Sequence, residues 1–342
     1  MQMLPLRLAL LLSCLALFPL NAAAWDRGHV DRFATLPPGS PNPEGIAADK
    51  DGNIYVATFA GGKLFEFDRN GHPVIPGGVT VTPSSGSLLG LDFHPQTGDL
   101  LVLDFGAGNV LKVDPSNGSA QIFSQIPGGG NAGINALTFD RDGNVYVSAS
   151  FAGAVYKIAP TGGTAEPWAT TPTDPNAPKP LITTGVPPFG ANGIGFNKAH
   201  DKLFVANTGN DTIVQIPVNA DGSAGTPSVF VNSINGADGL ILDDDDNIWV
   251  CANQADEIVV VDKTGKVIAK LGDFEGISRD SAPIGFLFPA SLVRVGNWVY
   301  VTNLSLDLGT AFGLPTVDSQ WAGMVKTQTV SRIRARIPRV PQ

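Results

Sequence analysis

The sequence predicts an all-β fold, and three observations predict it. Among the 342 residues, 40 are glycine and 27 are proline, the two residues least suited to the interior of a helix. Hydrophobic residues make up 43% of the chain and charged residues only 15%, a composition that excludes intrinsic disorder. Short segments of alternating polar and apolar residues, bounded by Gly and Asp turns, recur along the whole chain.

The recurring segments form a long internal repeat. One unit has an apolar strand after Glu44, a D-x-D-G-N turn, a second strand, a break at Gly62 and a third strand. The unit returns at intervals of between 45 and 57 residues. Four antiparallel strands at this period are typical of a β-propeller blade. Six units therefore predict a six-bladed β-propeller with four antiparallel strands per blade, occupying residues 25–342 as one domain.

The ends of the chain are expected to meet in the sixth blade. The strand at 30–36 precedes the first unit and has no blade of its own, so it should form the outer strand of blade six and close the ring. A right-handed β-helix is the alternative fold, although its repeats are usually shorter.

The first 24 residues resemble a signal peptide. A short start with Arg7 is followed by an apolar run at 8–20 and by small residues that end at Ala24. We therefore expect a secreted or periplasmic protein; a lipoprotein signal at Cys14 is the alternative. No later segment is long enough to predict a transmembrane segment. The net charge of −9 argues against nucleic acid as a partner. Cys251 alone would remain after cleavage, which excludes an intrachain disulfide.

The D-x-D-G-N turns resemble the start of an EF-hand calcium loop. An EF-hand needs a Glu eleven residues after its first Asp, whereas Asp49, Asp140 and Asp243 lead to other residues. We therefore interpret these segments as hairpin turns.

The residue just before the first strand of each unit carries a second pattern. Four of the six units have a side-chain oxygen there, and the six residues are Glu44, Leu89, Asn135, Asn192, Asp238 and Ala290. The innermost strand of a blade lines the central channel, so these oxygens should converge at its mouth. Asn and Asp also favour turns, but a Glu in the same register does not fit that explanation. Two carboxylates and two amides suit a hard divalent metal. Calcium is the first expectation, with zinc, magnesium and manganese as alternatives.

The same residues carry a family resemblance. Pro43-Glu44-Gly45, Ile134-Asn135, Ala191-Asn192-Gly193 and Ala237-Asp238-Gly239 resemble motifs of the six-bladed propellers that include senescence marker protein (regucalcin), gluconolactonases, diisopropylfluorophosphatase and, more distantly, paraoxonases. The resemblance covers roughly 30–336. It implies that the matching Glu, Asn, Asn and Asp hold a catalytic divalent metal, and that Asp238 is the catalytic general base or nucleophile. It also implies a small-molecule substrate and hydrolysis of a lactone or ester.

One departure from the family bears on the substrate. In sugar lactonases the third-blade motif reads Arg-x-Asn-Asp-Gly, and its Arg and Asp help to recognise the sugar. Here Gly133 and Ala136 stand in their places. The ligand Asn135 is kept, so a less polar lactone or ester is expected. The paraoxonase-like His pair is also absent, and His72, His94 and His200 are expected at the surface.

Three segments that interrupt the repeat should form loops above the metal, at 160–190, 273–289 and 304–327. They supply five candidate residues for a substrate lid: Phe189, Phe286, Phe288, Phe312 and Trp321. Near the ends of second strands, four residues could support the metal ligands from behind: Asp104, Asn207, Asn253 and Asn303.

Three other functions stay open. The first is a non-catalytic secreted propeller that binds a ligand or partner and holds a structural calcium. The second is a phosphotriesterase. The third is a strictosidine-synthase-like propeller, whose chemistry uses a Glu base without a metal. No G-x-S-x-G motif occurs, which disfavours a serine hydrolase.

Overall fold

The computed structural model describes residues 26–338, which are built almost entirely from β-strands. The predicted signal peptide at 1–24 lies outside these residues. Within 26–338, no helix is long and apolar enough to cross a membrane.

The first half of the chain forms three blades. Strand β1 (Val30–Thr35) precedes blade one, which consists of β2 (Pro43–Ala48), β3 (Ile54–Thr58), β4 (Lys63–Phe67) and β5 (Val79–Thr80). Blade two consists of β6 (Leu88–Phe93), β7 (Leu100–Asp104), β8 (Asn109–Val113) and β9 (Ala120–Gln125). A 3₁₀ turn at Gly129–Ala132 leads into blade three, which consists of β10 (Ile134–Phe139), β11 (Val145–Ala149), β12 (Ala154–Ile158) and β13 (Gly163–Thr170).

The second half forms three more blades. Blade four consists of β14 (Ala191–Phe196), β15 (Lys202–Asn207), β16 (Thr212–Pro217) and β17 (Ser228–Asn232). Blade five consists of β18 (Ala237–Leu242), β19 (Ile248–Ala252), β20 (Glu257–Val261) and β21 (Val267–Leu271). A hairpin of β22 (Phe274–Ile277) and β23 (Pro283–Gly285) follows. Blade six contains β24 (Pro289–Val295), β25 (Trp298–Asn303) and β26 (Thr329–Arg334), with helices α1 (Leu308–Phe312) and α2 (Ser319–Ala322) inserted before β26.

The first strands of the six blades form a closed ring. Strands β2, β6, β10, β14, β18 and β24 each contact the next, and β24 contacts β2. Strand β1 pairs antiparallel with β26, with Val30 opposite Ile333 and Thr35 opposite Thr329. The predicted propeller is therefore confirmed, including the closure of blade six by the N-terminal strand. Within each blade the four strands pair antiparallel, and blades two and three are joined by a short parallel pairing of β9 with β13; this arrangement excludes the β-helix alternative.

Apolar side chains fill the spaces between neighbouring blades. Tyr146 of blade three, for example, packs edge-on against Phe196 of blade four, with ring centroids 4.9 Å apart. Cys251 lies fully buried in the cluster between blades five and six, as expected of a core cysteine. This packing fixes the position of each inner strand, and so of the residues at the channel mouth.

The Asp-rich turns are hairpin turns, as the sequence predicts. Asp140 accepts hydrogen bonds from the backbone N–H groups of Asp142 and Asn144, at 3.0 and 2.9 Å, and from the side chain of Asn144 at 2.8 Å. Asp49 and Asp243 make the equivalent bonds. Their carboxylates are thus used to hold the turn.

The sequence misplaces one strand and one histidine. The segment 160–190 is not all loop, since its first part is β13, the outer strand of blade three. Pro167 is tolerated there because it lies beside an irregularity in the pairing of β12 with β13. His94 is not at the surface but 1% exposed, with Nε2 3.0 Å from the carbonyl oxygen of Gly143. His72 is exposed and His200 is half-buried.

Candidate functional site

Every inner strand has a β-bulge at its second residue, and in four blades that residue is a predicted ligand. In blade four, Ala191 pairs with Asn207, and regular pairing resumes only at Ile194 with Val205. Asn192 lies within this irregularity. The inner strands of the other five blades are irregular at the same place. A bulge changes the direction of a side chain, so the same local structure positions Glu44, Asn135, Asn192 and Asp238 alike.

In blades one, two, four and five, the residue after the channel-facing one is a glycine, which lets neighbouring blades approach closely. A Cβ atom on Gly193 would overlap the carbonyl oxygen of Asp238 in the next blade, and one on Gly45 would overlap that of Leu89. Each glycine therefore lies directly against the backbone of the inner strand of the next blade. The ring can be this narrow only because these side chains are missing.

The four predicted ligands line one pocket at the channel mouth. Glu44, Asn135, Asn192 and Asp238 are all among its lining residues, and each is only 4–5% exposed. In blades two and six the equivalent residues of the inner strand are Leu89 and Ala290, and neither has a side-chain oxygen. The structure thus brings together the four oxygen-bearing residues that the repeat predicts.

Hydrogen bonds from neighbouring strands orient two of these side chains. Asn253 Nδ2 donates to Asp238 Oδ2 at 2.9 Å, and Gln254 Nε2 donates to Asn253 Oδ1 at 3.1 Å. Asn192 Nδ2 donates to Thr208 Oγ1 at 2.8 Å, which leaves Asn192 Oδ1 for a ligand. The amide group of Asn192 therefore presents an acceptor to the pocket.

Two carboxylate oxygens in the pocket have no partner. Glu44 Oε2 and Asp238 Oδ1 are buried and accept no hydrogen bond from the described part of the chain. Burial raises the pKa of both carboxyls, and the charge of Asp238 raises that of Glu44 further. The hydrogen bond from Asn253 opposes the shift of Asp238. Two buried acids without a cationic neighbour are costly to ionise.

These residues fit a divalent cation. The unpartnered oxygens of Glu44 and Asp238 and the amide oxygens of Asn135 and Asn192 are hard ligands of the kind that calcium takes. Between residues 26 and 338, no three or more His, Cys, Asp or Glu side chains form a group that could hold a metal. A cation here would therefore depend on the two amides as well as the two carboxylates.

The four residues expected to support the metal ligands differ in their place on the strand, and only one of them reaches a predicted ligand. Asp104, Asn207 and Asn303 pair directly with the first residue of their inner strand, and their side chains hold loops. Asp104 accepts from the backbone N–H of Ser85 at 2.9 Å, Asn207 donates to the carbonyl oxygen of Pro180 at 2.7 Å, and Asn303 accepts from the backbone N–H of Leu287 at 3.1 Å.

Asn253 lies one residue further along its strand, and of the four only its side chain contacts a predicted ligand. The equivalent residues of other blades line the pocket, namely Phe59, Thr208 and Leu304. Sequence reasoning missed these three. The signal that could have found them is the alternation of side chains along a strand, applied one residue beyond the last paired position.

The lid candidates fall into three groups. Phe189 and Phe288 line the pocket. Phe312 lies beside Phe189, with ring centroids 6.0 Å apart, and is 41% exposed. Phe286 and Trp321 lie elsewhere, because Phe286 is fully buried in the core between blades five and six and Trp321 packs on Phe274.

Comparison with known proteins places this architecture. Residues 189–272 match the model of the SMP-30/Gluconolactonase/LRE-like region. No curated protein matches the chain. Among solved structures, a luciferin-regenerating enzyme has a TM-score of 0.64 at 14% identity, covering 90% of this chain and 95% of that one.

Two other structures are similar over nearly their whole length. A calcium-binding protein, regucalcin, from Agrobacterium tumefaciens has a TM-score of 0.60 at 16% identity, covering 92% of this chain and 97% of that one. A gluconolactonase from Xanthomonas campestris has a TM-score of 0.60 at 12% identity, covering 90% and 91%. At these identities the structural likeness shows the fold alone. The matched region at 189–272 contains Asn192 and Asp238, and the family of that model is the one that the four sequence motifs resemble.

Proposed function

We propose that this protein is a secreted, metal-dependent hydrolase that opens a lactone or cleaves a carboxylic ester. The observation that carries the proposal is the pair of buried, unpartnered carboxylate oxygens, Glu44 Oε2 and Asp238 Oδ1, in one pocket with two amides. Calcium is the proposed cation because every ligand is a hard oxygen. The fold shared with a calcium-binding regucalcin supports that choice.

The proposed reaction assigns a role to each end of the Asp238 carboxylate. A bound divalent cation would polarise a carbonyl group and acidify water. Asp238 Oδ2 is held by Asn253, while Oδ1, which would bind the cation only loosely, would accept a proton from the attacking water. The water oxygen adds to the carbonyl carbon, the ring C–O bond breaks, and the leaving oxygen takes up the proton. The product is a hydroxy acid. Direct attack by Asp238 on the carbonyl carbon is the alternative route.

The composition of the pocket supports a lactone or ester without a sugar's hydroxyl groups. Gly133 and Ala136 supply no side-chain hydrogen bond, and most residues above the four oxygens are apolar. The name of the Xanthomonas relative, a gluconolactonase, supports a lactone as the reacting group. We therefore propose a less polar lactone than a sugar lactone.

The small free volume of the pocket favours a second candidate function, a binding propeller without catalysis. It is about 30 Å³, enough for about one water molecule and too little for a substrate. Pro187 and Phe189 cover one side, and Leu304, Leu306 and Leu308 cover another. As an enzyme, the protein must move these loops to admit a substrate. If they stay closed, the protein is a non-catalytic binding propeller with a structural cation.

A substrate panel with and without chelator tests the proposal. Lactones, aryl esters and phosphotriesters are assayed on calcium-loaded protein and after treatment with EDTA. We expect turnover of lactones or esters that is lost on chelation and restored by calcium. Turnover of phosphotriesters alone would place the protein in a different class of metal hydrolase. An absence of turnover, with a change only in melting temperature on chelation, would support the binding propeller.

A further inference from the structure

A row of five phenylalanines leads from the pocket to the surface. Phe59 and Phe189 line the pocket; Phe105 contacts Phe59, Phe151 and Phe189, and Phe312 packs on Phe189. Successive ring centroids are 6.4 Å apart for Phe59 and Phe105, 5.7 Å for Phe105 and Phe151, and 5.5 Å for Phe151 and Phe189. The rings come from blades one, two and three, from the loop before blade four and from α1. Five separate segments thus contribute to one apolar surface.

Two rings of the row, one on each side of Phe189, are open to solvent. Phe151 and Phe312 are each 41% exposed, although large aromatic side chains are usually covered. Phe151 lies over Gly133, where a Cβ atom would collide with its ring. The exposed faces of Phe151 and Phe312 therefore extend the apolar lining of the pocket out to the surface of the protein.

The pocket wall that blades four and five form is polar. Thr208 and Asn253, on blades four and five, lie beside Asn192 and Asp238 and bond to them. Among the residues that line the pocket, only Glu44 and Asp238 carry a charge, and both are acidic. A phosphate or carboxylate substituent would meet no cationic side chain from this lining. An apolar substituent would find aromatic rings on one side.

We propose that the aromatic row is the binding subsite for a long alkyl or aryl substituent on the lactone or ester. The inference rests on the proposed function, which it makes more specific. The reacting carbonyl lies over the four oxygens near Asp238, and the substituent extends away from Asp238, along Phe59 and Phe189 towards Phe151 and Phe312. Apolar burial against these rings makes the length of the substituent the main determinant of specificity.

A series of lactones with one ring size tests this orientation. The alkyl chain is lengthened from none to about eight carbons, and kcat/KM is expected to rise by roughly threefold per methylene until the row is covered. Phe151→Ala and Phe312→Ala change exposed residues, so both variants are expected to fold. Each should lower kcat/KM for the longest chain about tenfold more than it lowers kcat/KM for the unsubstituted lactone. Ile122→Ala, which removes an exposed side chain from β9, is the matched control and should change neither value.

Binding of a non-hydrolysable analogue separates this inference from the proposed function. A five-membered lactam with the longest alkyl chain is titrated into the calcium-loaded protein by calorimetry, against the same lactam without a chain. Tighter binding of the alkylated lactam, weakened by Phe312→Ala, supports the subsite even if no lactone is turned over, in which case the proposed function alone fails. Turnover that does not depend on chain length would overturn the subsite and leave the hydrolase standing. If no lactone is turned over and binding of the lactam does not depend on the alkyl chain, both the subsite and the proposed function are overturned.

Discussion

Asn253 Nδ2 donates a 2.9 Å hydrogen bond to Asp238 Oδ2, while Oδ1 of the same carboxylate is buried without a partner among residues 26–338. One oxygen of Asp238 is thus fixed by the protein, and the other is left for chemistry or for a cation. Asn253 is in turn held by Gln254, so the carboxylate is oriented by a short chain of amides.

Replacing Asn253 tests the value of this orientation. In Asn253→Ala, Asp238 loses its donor, and we expect calcium affinity to fall about 10- to 100-fold together with kcat. Asn207→Ala is the comparison, because Asn207 holds a loop and contacts no predicted ligand. Asn207→Ala should lower the melting temperature and leave calcium affinity within about twofold of that of the wild type. Calorimetric titration with calcium and thermal melts measure both quantities. Equal affinity in the two variants would contradict the assignment of Asn253.

The four oxygens should bind one calcium ion per chain. Glu44→Gln and Asp238→Asn each remove a negative charge with little change of shape, and we expect either to weaken calcium binding at least about 100-fold. Asp238→Asn should also abolish turnover with the fold retained. Calcium at 100 times its Kd should stabilise the wild type by about 2.7 kcal/mol.

Leu89→Ala provides the control for these two variants, because Leu89 is the equivalent residue in blade two and offers no side-chain oxygen. Calcium affinity should survive in Leu89→Ala and be lost in the two carboxylate variants, as measured by calorimetry. A binding propeller would predict that ligand or partner binding survives in Asp238→Asn.

The contact of Gly193 with the next blade predicts a large cost for any side chain there. In Gly193→Ala the new methyl group overlaps the Asp238 carbonyl oxygen, so blades four and five must separate. We expect a loss of about 3 kcal/mol or more in the free energy of unfolding, measured by urea titration. Blade three already carries Ala136 at the equivalent position. Ala136→Gly should therefore cost only about 1 kcal/mol or less, and a similar small cost for Gly193→Ala would show that the ring is not tightly closed.

A buried acid pair predicts that stability falls as pH rises. Asp256 in blade five and Asp318 beside α2 are 7% and 5% exposed, and the two carboxyls lie close enough to shift each other's pKa. Burial and then the charge of Asp318 raise the pKa of Asp256 to about 8, and burial raises the pKa of Asp318 to about 6. The charge of Asp273 acts in the same direction on Asp256.

The sign of the effect follows from proton binding. Both carboxyls bind protons more tightly in the folded state, so their contribution is fully present below about pH 4 and is lost as pH rises towards 8. Asp318→Asn keeps a donor beside Asp256 and removes one charge. We expect it to raise the melting temperature by a few degrees at pH 8.5, corresponding to about 1–2 kcal/mol, and to change little at pH 5. Melting curves of the two proteins that run parallel over this range would contradict the shifted pKa values.

The repeat alone was enough to predict the propeller and the convergence of four oxygen-bearing side chains at the channel mouth. Short strands and Gly or Asp turns are local features, and six units in register specify which residue begins each inner strand. This is why Glu44, Asn135, Asn192 and Asp238 were predicted together, and why β1 could be assigned to blade six. The turn at Asp140 was also predictable, because an Asp side chain that bonds backbone two residues on acts locally.

What the sequence could not decide depends on contacts between distant segments. The difference between Asn253 and Asn207 is one residue of strand register, which pairing across the sheet determines. His94 is buried because a neighbouring blade covers it through Gly143, and no local pattern shows that. The aromatic row likewise joins five segments that are far apart in sequence. Local chemistry in this chain therefore determined the blades and the four oxygens, whereas only the packing of blades and loops decided which side chains surround them.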